Sequence, residues 1–528
     1  MTTPLHTLSY IQPNLYQDSV ALMRVAQRLL QMPGVVNASL QMGSPANKEI
    51  LQEAGLLTGE VQGAGPSDVM VVLQARSVAA AQAARAASKA ELAGQEQATP
   101  AGTDSAEAAI PPRSAGMGLA NMGAANIAQI SVPGSYAGAE ALKAVKLGLN
   151  VFLFSDNVPL AQEVAIKQEA KRRGLLVMGP DCGTAIIGGV PLGFANNVRR
   201  GNIGLVAASG TGLQEVTTQI HRMGGGISHA IGTGGRDVYA EVGGATMQQG
   251  IALLARDPAT KVVVILSKPP APVVRDKVMA ALRTCGKPAV VLFLGNEPQA
   301  PQPKDKAIHI AHNLVDCAAA ALRLAGVKRQ GQAQARTQPQ PQSLYPMPVK
   351  PTFAPGQTFL RALYCGGSYA AEAQAIWARS GLQVRSNAPL DEAMALPNPR
   401  AASFGHCALD LGDDAFTVGR PHPMIDQGAR IERLLREAAD PSVRVILLDV
   451  VIGWGAHADP SSELALAIEK AQRIAQKGKR HLAVIGFVCG TELDPQGLAA
   501  QEVKLRAAGM VLAGNSANAA WLAREWLR

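Results

Sequence analysis

Apolar residues recur along this chain at two spacings, and the switches between them mark out its elements. After Gln17-Asp18-Ser19, Leu22, Val25, Ala26 and Leu29 fall on one face of a helix that Pro33-Gly34 ends. Val35 to Met42 reads as a strand, and Pro66-Ser67-Asp68 introduces another from Val69 to Leu73. This makes a small α/β region whose strand order the pattern leaves open. Ala79 to Arg113 starts as a helix and loses its pattern from Gln97 to Pro112, which predicts a mobile loop.

From Ala125 strands and helices alternate. Ile127–Val132, Val151–Phe154 and Leu175–Met178 read as strands, with helices at Tyr136–Leu147 and Leu160–Arg173. A second set follows at Ile203–Ala207, Val262–Leu266 and Ala289–Phe293, and a third at Phe359–Tyr364, Val443–Val451, His481–Phe487 and Met510–Leu512. Such alternation builds right-handed βαβ units, so the predicted class is α/β with several parallel-sheet domains, of the Rossmann and flavodoxin-like types that the resemblance given below implies. Gln330 to Gln357 is rich in Pro and Gln with little to bury, and is expected to be a linker.

Composition sharpens this picture in a few places. Of 528 residues, 47% are hydrophobic and only 4% aromatic, so aliphatic side chains must fill the cores, as in buried parallel sheets. A net charge of +9 without a dense Lys/Arg run interleaved with aromatics speaks for small anionic substrates and against nucleic acid. The six cysteines form no C-x-x-C pair, so neither a disulfide framework nor a zinc site is expected. The N-terminus lacks a signal-peptide pattern, and the longest apolar stretch, Val443–Trp454, is too short to span a bilayer. A cytoplasmic protein is expected.

Four stretches carry candidate chemistry. The strand at Ile203 runs into Ser209-Gly210-Thr211-Gly212 and a helix from Leu213 to His221. Unpaired N–H groups and the macrodipole at such a helix start make an anion site, to which Ser209 and Thr211 add hydroxyls. The same residues also describe an ordinary turn with a serine cap. Leu363-Tyr364-Cys365-Gly366-Gly367-Ser368, before a helix at Tyr369–Trp377, repeats that grammar, and two such turns are able to face one phosphate. Gly179-Pro180-Asp181-Cys182 ends a strand where α/β sheets bind ligands; with no histidine near in sequence, Cys182 is expected to line the pocket rather than attack. Finally, Asp410 to Asp414 leads to Val418–Asp426, where Pro421 and Pro423 stiffen the chain around His422, and Arg420 offers a planar cation for a carboxylate or phosphate. A rigid surface turn capping the next helix reads the same way. His309 and His312 would share a helix face but have no third ligand nearby, so no metal is expected.

These stretches resemble the α-subunit of succinyl-CoA synthetase from about Asn126 to Gly295. Gly179-Pro180-Asp181-Cys182 stands at that family's G-P-N-C, Gly201–Thr211 at its G-K-V-G-I-V-S-R-S-G-T, and Ile231–Asp237, with Gly234 and Gly235, at its G-I-G-G-D turn. Phe359 to the C-terminus is similar to the last domain of the β-subunit, with Leu409-Asp410-Leu411-Gly412 at its L-D-V-G-G and Gly453-Trp454-Gly455 at its F-G-G. With Ser267-Lys268-Pro269-Pro270 and Val418–Asp426, the whole chain resembles the FdrA family of acyl-CoA-synthetase-like proteins. The resemblance implies a small N-terminal α/β domain (1–115), a CoA-binding-like Rossmann domain (116–200) and an α-subunit-like ligase domain (201–328). It implies a linker (329–357) and a β-subunit-like flavodoxin-like domain (358–528).

Departures from the synthetase pattern shape the functional expectation. No G-H-A-G-A follows Gly295, so the phosphorylated histidine has no counterpart. Ser267-Lys268 replaces the expected glutamate, no early G-x-T-G-x-x-G meets the CoA pyrophosphate, and the ATP-grasp half is missing. Lys268 would repel an imidazolium and attract an anion. An acyl phosphate as free ligand is therefore expected, and the FdrA resemblance implies carbamoyl phosphate with oxamate, in purine (allantoin) catabolism. On this reading Ser209, Gly210, Thr211, Gly212, Gly366, Gly367 and Ser368 hold the phosphate. Lys268 or Arg420 holds the oxamate carboxylate, His422 or Asp181 orients its amide nitrogen, and Cys182, Gly234 and Gly235 lie beside the substrate. The alternatives are an ADP-forming acyl-CoA synthetase using CoA and ATP with an ATP-grasp partner, and a non-catalytic regulatory subunit. Operon-encoded partner subunits and an oligomer are expected.

Overall fold

The computed structural model describes residues 5–15, 17, 19–96, 112, 114–122, 124–295, 307–327, 348–417 and 421–528. The loop expected after Gln97, most of the Pro/Gln-rich linker, and Arg420 lie outside them. Two compact units result, one of residues 1–113 with 417–421, the other of 114–416 with 422–528. Among the described residues no helix is long and apolar enough to cross a membrane.

The first unit runs β1 (His6–Gln12), α1 (Ser19–Leu30), β2 (Val35–Met42), α2 (Pro45–Glu53), α3 (Gly59–Gln62), β3 (Val69–Ala75) and α4 (Val78–Glu96). Its sheet is antiparallel in the order β1-β3-β2. Because successive strand residues point to opposite faces, the middle strand β3 serves two cores. Val69, Val71 and Leu73 meet Leu22, Val25 and Leu29 of α1, whereas Met70 and Val72 meet Leu51 and Val61 on the other side.

The second unit opens with α5 (Ala115–Met122), β4 (Ile127–Ile130), α6 (Gly134–Lys146), β5 (Asn150–Leu153), α7 (Leu160–Arg173) and β6 (Val177–Met178), whose strands make a parallel sheet β4-β5-β6. A hairpin, β7 (Thr184–Ile187) and β8 (Val190–Gly193), leads to β9 (Arg200–Ala208), α8 (Gly210–Arg222), β10 (Ile227–Gly232), α9 (Ala245–Arg256), β11 (Val262–Ser267), α10 (Pro272–Thr284), β12 (Ala289–Phe293), β13 (Ile308–Ile310) and α11 (Leu314–Leu324). Next come β14 (Phe359–Tyr364), α12 (Gly367–Ala378), β15 (Arg385–Ser386), β16 (Cys407–Asp410), α13 (Asp414–Thr417), α14 (Gly428–Ala439), β17 (Val443–Val451), α15 (Pro460–Lys477), β18 (Ala483–Cys489), α16 (Leu498–Ala507), β19 (Val511–Leu512) and α17 (Ser516–Leu527).

These two stretches repeat one plan. The larger sheets run β13-β12-β11-β9-β10-β7-β8 and β15-β16-β14-β17-β18-β19. In the first, β9 sits between the next two parallel strands, β10 and β11; in the second, β14 sits between β16 and β17, with the two-residue β15 outside β16, so each has the flavodoxin-like switch point beside its first strand. That first strand is β9 in one half and β14 in the other, and each leads into a Gly-rich turn and a helix, α8 or α12. These two helices pack with α11 and α17 between the sheets, in one continuous core that includes Leu213, Leu314, Ala373 and Trp526.

Two expectations are corrected. His309 lies on β13 and His312 in the turn after it, so they share no helix face; the short apolar run Ile308–Ile310 is claimed by the sheet edge. The last residues of the expected linker are also anchored. Phe353 packs against the core, and fully buried Gln357 donates from Nε2 to the carbonyls of Val443 and His481, both at 2.8 Å.

Candidate functional site

The two Gly-rich helix openings meet. Ser209 caps α8 with its backbone, yet its side chain makes no hydrogen bond to that helix, and the cap of α12, Gly366, has no side chain to give. Instead the Ser209 hydroxyl is hydrogen-bonded to the Ser368 hydroxyl across the junction. The first amides of both helices are left without intrahelical acceptors, and the two helix starts adjoin. Approach is close: a Cβ added at Gly366 would lie 2.6 Å from Thr211 Oγ1, and one at Gly367 2.6 Å from Asp410 Oδ2 and 3.2 Å from Lys268 Nζ.

Each wall of this cleft is set by a strand end. Lys268 follows β11, where the chain turns through Pro269-Pro270, and its side chain is exposed to the opening. Asp410 ends β16, is 8% exposed, and accepts the Gly412 amide at Oδ1, 3.0 Å away. Asn387 fixes its backbone from both sides, accepting its N–H and donating to its carbonyl. Burial pushes the Asp410 carboxyl up to about 7; Lys268 opposes the rise, and Asp413 and Asp449 add to it.

His422 closes another side. A Cβ at Gly412 would come within 2.5 Å of its Nε2, and its ring lies 5.7 Å from that of Phe194. Phe194 in turn holds Thr184, whose hydroxyl donates to its carbonyl and stands 3.5 Å from a Cβ placed on Gly210. Burial lowers His422 to about 4. Its Nδ1 accepts the Met424 amide at 3.2 Å, which puts the single ring proton on Nε2, toward the cleft. His422 is thus a neutral hydrogen-bond donor at neutral pH.

The Gly179–Asp181 turn provides the remaining edge, with a cis Gly179-Pro180 bond and Asp181 in the left-handed region. Gly234, at φ +80°, lets the chain pass over it: a Cβ there would meet the Pro180 carbonyl oxygen. Asp181 shows surface to solvent while its carboxyl is crowded by neighbouring groups. Loss of solvation there pushes its carboxyl up to about 6; Asp156 and Asp414 add to this, while Arg236 and Lys268 oppose it. Lys268 therefore acts on Asp181 and Asp410 alike. Gly235 lies beside Asp181, its Cβ position 3.9 Å from Oδ2.

The structure brings together the expected residues of both turns, Lys268, His422, Asp181, Gly234 and Gly235. Cys182 is the exception. It is 2% exposed, turns its sulfur toward the Thr184 carbonyl and packs with Met178, Val206 and Ile231; burial pushes its thiol up to about 12. Hydrophobic neighbours have claimed it for the core. Asp410 and Thr184 line the cleft, and neither side chain had been assigned a role from its sequence pattern. The first could have been marked by its place at the C-terminal end of an apolar strand, Cys407–Asp410.

With this geometry in place, likeness to known proteins can be weighed. Residues 5–109 match the family described as AllF, heavy metal-associated domain, residues 198–295 the CoA binding domain, and residues 363–525 the CoA-ligase family. YahF of Escherichia coli K12 is 41% identical over 525 residues, 98% of each chain. The chain belongs to the FdrA/AllF-type, acyl-CoA-synthetase-like family. It carries CoA-ligase and CoA-binding domains. More distant relatives include the sulfoacetate-CoA ligase subunit SauD of Bilophila wadsworthia, 27% identical over 27% of this chain and 50% of its own. The α subunit 2 of an Archaeoglobus fulgidus succinate–CoA ligase is 28% identical over 32% and 59%. The chain thus spans only half or so of these ligase subunits. Among solved structures, a dinucleotide-forming acetyl-CoA synthetase of Ca. Korarchaeum cryptofilum aligns over 76% of this FdrA/AllF-type chain and 83% of its own, at 14% identity and a TM-score of 0.31.

These names imply two bound groups, and the residues can be asked whether they fit. For coenzyme A, the match covers residues 198–295, and outside it the chain passes close over the α6 start: a Cβ at Gly134 would lie 2.6 Å from the Asn157 carbonyl oxygen and also meet that of Asp156. Residues 5–109 do not fit a heavy metal, since they contain no cysteine and one histidine, His6.

Proposed function

We propose that this FdrA/AllF-type protein binds a small acyl phosphate at the meeting of α8 and α12, and transfers its carbamoyl group between phosphate and oxamate. The observation that carries the reading is the Ser209–Ser368 hydrogen bond, which unites two uncapped helix openings beside Lys268. Each opening contributes ~0.3–1 kcal/mol to a bound anion, and up to about 2 when partly buried.

In the proposed reaction the oxamate amide nitrogen attacks the carbamoyl carbon. A C–N bond forms, the C–O bond to phosphate breaks, and its electron pair leaves on the phosphate. The amide proton needs an acceptor. Asp410, whose carboxyl sits at about 7, suits that exchange at neutral pH. His422 offers Nε2–H to the developing oxyanion. Lys268 would balance the anionic reactants, and positioning of both in line supplies ~7–11 kcal/mol in the best cases. Partner subunits and an oligomer belong to the same proposal.

The test mixes the purified full chain with its operon-encoded partners, carbamoyl phosphate and oxamate, and follows phosphate release. Release that needs oxamate supports the reading; a flat trace with all partners present sinks it in favour of a regulatory role. The CoA-ligase and CoA-binding matches favour a second reading, an ADP-forming acid–thiol ligase completed by an ATP-grasp partner. Thioester formation from ATP, CoA and succinate, with acid-labile label on a histidine, would establish it instead.

A further inference from the structure

Behind the α12 turn lies a buried ion pair that the proposed chemistry does not use. Arg430 stands on the first turn of α14, and Asp449 is an acidic residue within the apolar strand β17. Both are fully buried, and Arg430 Nη2 lies 3.3 Å from Asp449 Oδ1. The same Nη2 is hydrogen-bonded to the Asp449 carbonyl. Together the pair grips Cys365, the residue that leads from β14 into Gly366 and Gly367. Asp449 Oδ1 accepts the Cys365 N–H at 2.9 Å, and Arg430 Nη1 donates to the Cys365 sulfur at 2.8 Å.

The guanidinium also reaches toward the His422 loop. Its Nη1 donates to Gln427 Oε1 at 3.5 Å, the longest link, and Gln427 Nε2 donates to the Pro423 carbonyl at 2.8 Å. Gln427 is buried at the N-cap of α14, yet its side chain makes no bond to that helix. Pro423 separates His422 from Met424, whose amide donates to His422 Nδ1. One run of buried side chains thus joins the His422 loop to the start of α12. The space it spans is narrow: a Cβ on Gly412 would come 2.6 Å from the Cys365 carbonyl oxygen and 2.5 Å from His422 Nε2.

Stability does not account for this pair. Asp449 Oδ2 and Arg430 Nε are buried without a hydrogen-bond partner among the described residues. In a buried ion pair satisfied only in part, desolvation of both charges offsets their attraction, while the geometry stays fixed.

We propose that Arg430 and Asp449 are positioning residues that set the distance between the His422 donor and the anion turn of α12. They touch no ligand. They act by holding Cys365 on one side and, through Gln427, Pro423 on the other. The functional part of the proposal rests on the acyl-phosphate reading; the placement of the two walls does not.

The test compares the full chain with its R430Q/D449N variant, which takes the bridge apart without leaving a bare buried charge and keeps an acceptor for the Cys365 N–H. Three readouts are followed: the 15N shifts of the His422 imidazole and of the Gly367 amide, and sulfate affinity by calorimetry. Both signals are expected to move, and the affinity to fall about fivefold or more, in protein of unchanged circular dichroism. A merely structural pair would lower the urea midpoint and leave both signals in place. Unmoved signals overturn the proposal, and so does movement of only one, since the two walls would then be held independently. Unchanged affinity overturns it as well where the wild type binds sulfate. Should the double variant not fold, Q427M spares the ion pair and cuts the link to Pro423. It should move the His422 signal, and an unmoved signal overturns the bridge. A wild type that binds no sulfate counts against the acyl-phosphate site, and the two signals then decide the bridge.

Discussion

The Ser209 hydroxyl is hydrogen-bonded to the Ser368 hydroxyl, 159 residues further along the chain. On the proposed reading neither turn alone would hold an anion strongly, and the two together would, with Lys268 and Asp410 beside Gly367. Gly366 and Gly367 are what permit it. Gly366 has an extended backbone, open to any residue, so the demand for glycine there is spatial and not conformational. G366A would press a methyl into Thr211, and G367A one against Asp410. Phosphate affinity of either variant, measured by calorimetry, should fall tenfold or more, about 1.4 kcal/mol, with the fold kept. Unchanged affinity in both would put the anion elsewhere.

Asp410 predicts how binding depends on pH. Sulfate is the better probe, since it stays dianionic where phosphate titrates. With its carboxyl held at about 7, Asp410 is protonated below that value and ionised above it. An ionised Asp410 repels sulfate, so affinity should fall as pH rises from 6 to 8. D410N should lose the part of the fall centred near 7, leaving the part near 6 that belongs to Asp181. A D410N curve that overlays wild type would remove Asp410 from the cleft's electrostatics.

Lys268 is coupled to that titration. It lowers the Asp410 pKa, opposing burial, and attracts the anion. K268Q should therefore do two things at once: weaken sulfate binding roughly tenfold, or about 1.4 kcal/mol, and move the midpoint of its pH dependence upward. Weaker binding with an unmoved midpoint would mean that Lys268 meets the anion but not Asp410.

Much of this was legible in the sequence. Strands that are continuous apolar runs, such as Val262–Leu266 and Ala289–Phe293, were evident because burial on both faces leaves no polar interruptions. Short or interrupted strands were not. The β7–β8 hairpin, β13 and β16 have four residues or fewer and are fixed by neighbours distant in the chain. The two phosphate-type turns announced themselves by their glycines, but their convergence depends on helix packing, which no local pattern encodes. Cys182 misled because a turn beside a ligand edge can still point a side chain inward.

The end of the linker carries a stability prediction. Gln357 is fully buried and gives both amide protons to carbonyls at the starts of neighbouring strands. Its Oε1 accepts the Ala354 amide. Q357A strands these groups out of water, which costs about 1–3 kcal/mol. The urea midpoint should drop accordingly with the slope unchanged. A drop no larger than that of an exposed substitution would show that this segment does not hold in solution.

His422 predicts a spectroscopic signature that separates it from an ordinary surface histidine. Burial holds its pKa at about 4, and the Met424 amide occupies Nδ1. Between pH 5 and 8 its ring should remain neutral with the proton on Nε2. In a 15N-labelled sample, one imidazole should keep the Nε2–H tautomer pattern across that range and begin to shift only near pH 4. H422Q, which retains a donor but not the ring, identifies the resonance by its loss. Titration of that resonance near 6.5 would mean a solvated imidazolium, and the neutral donor proposed for the oxyanion would have to come from another residue.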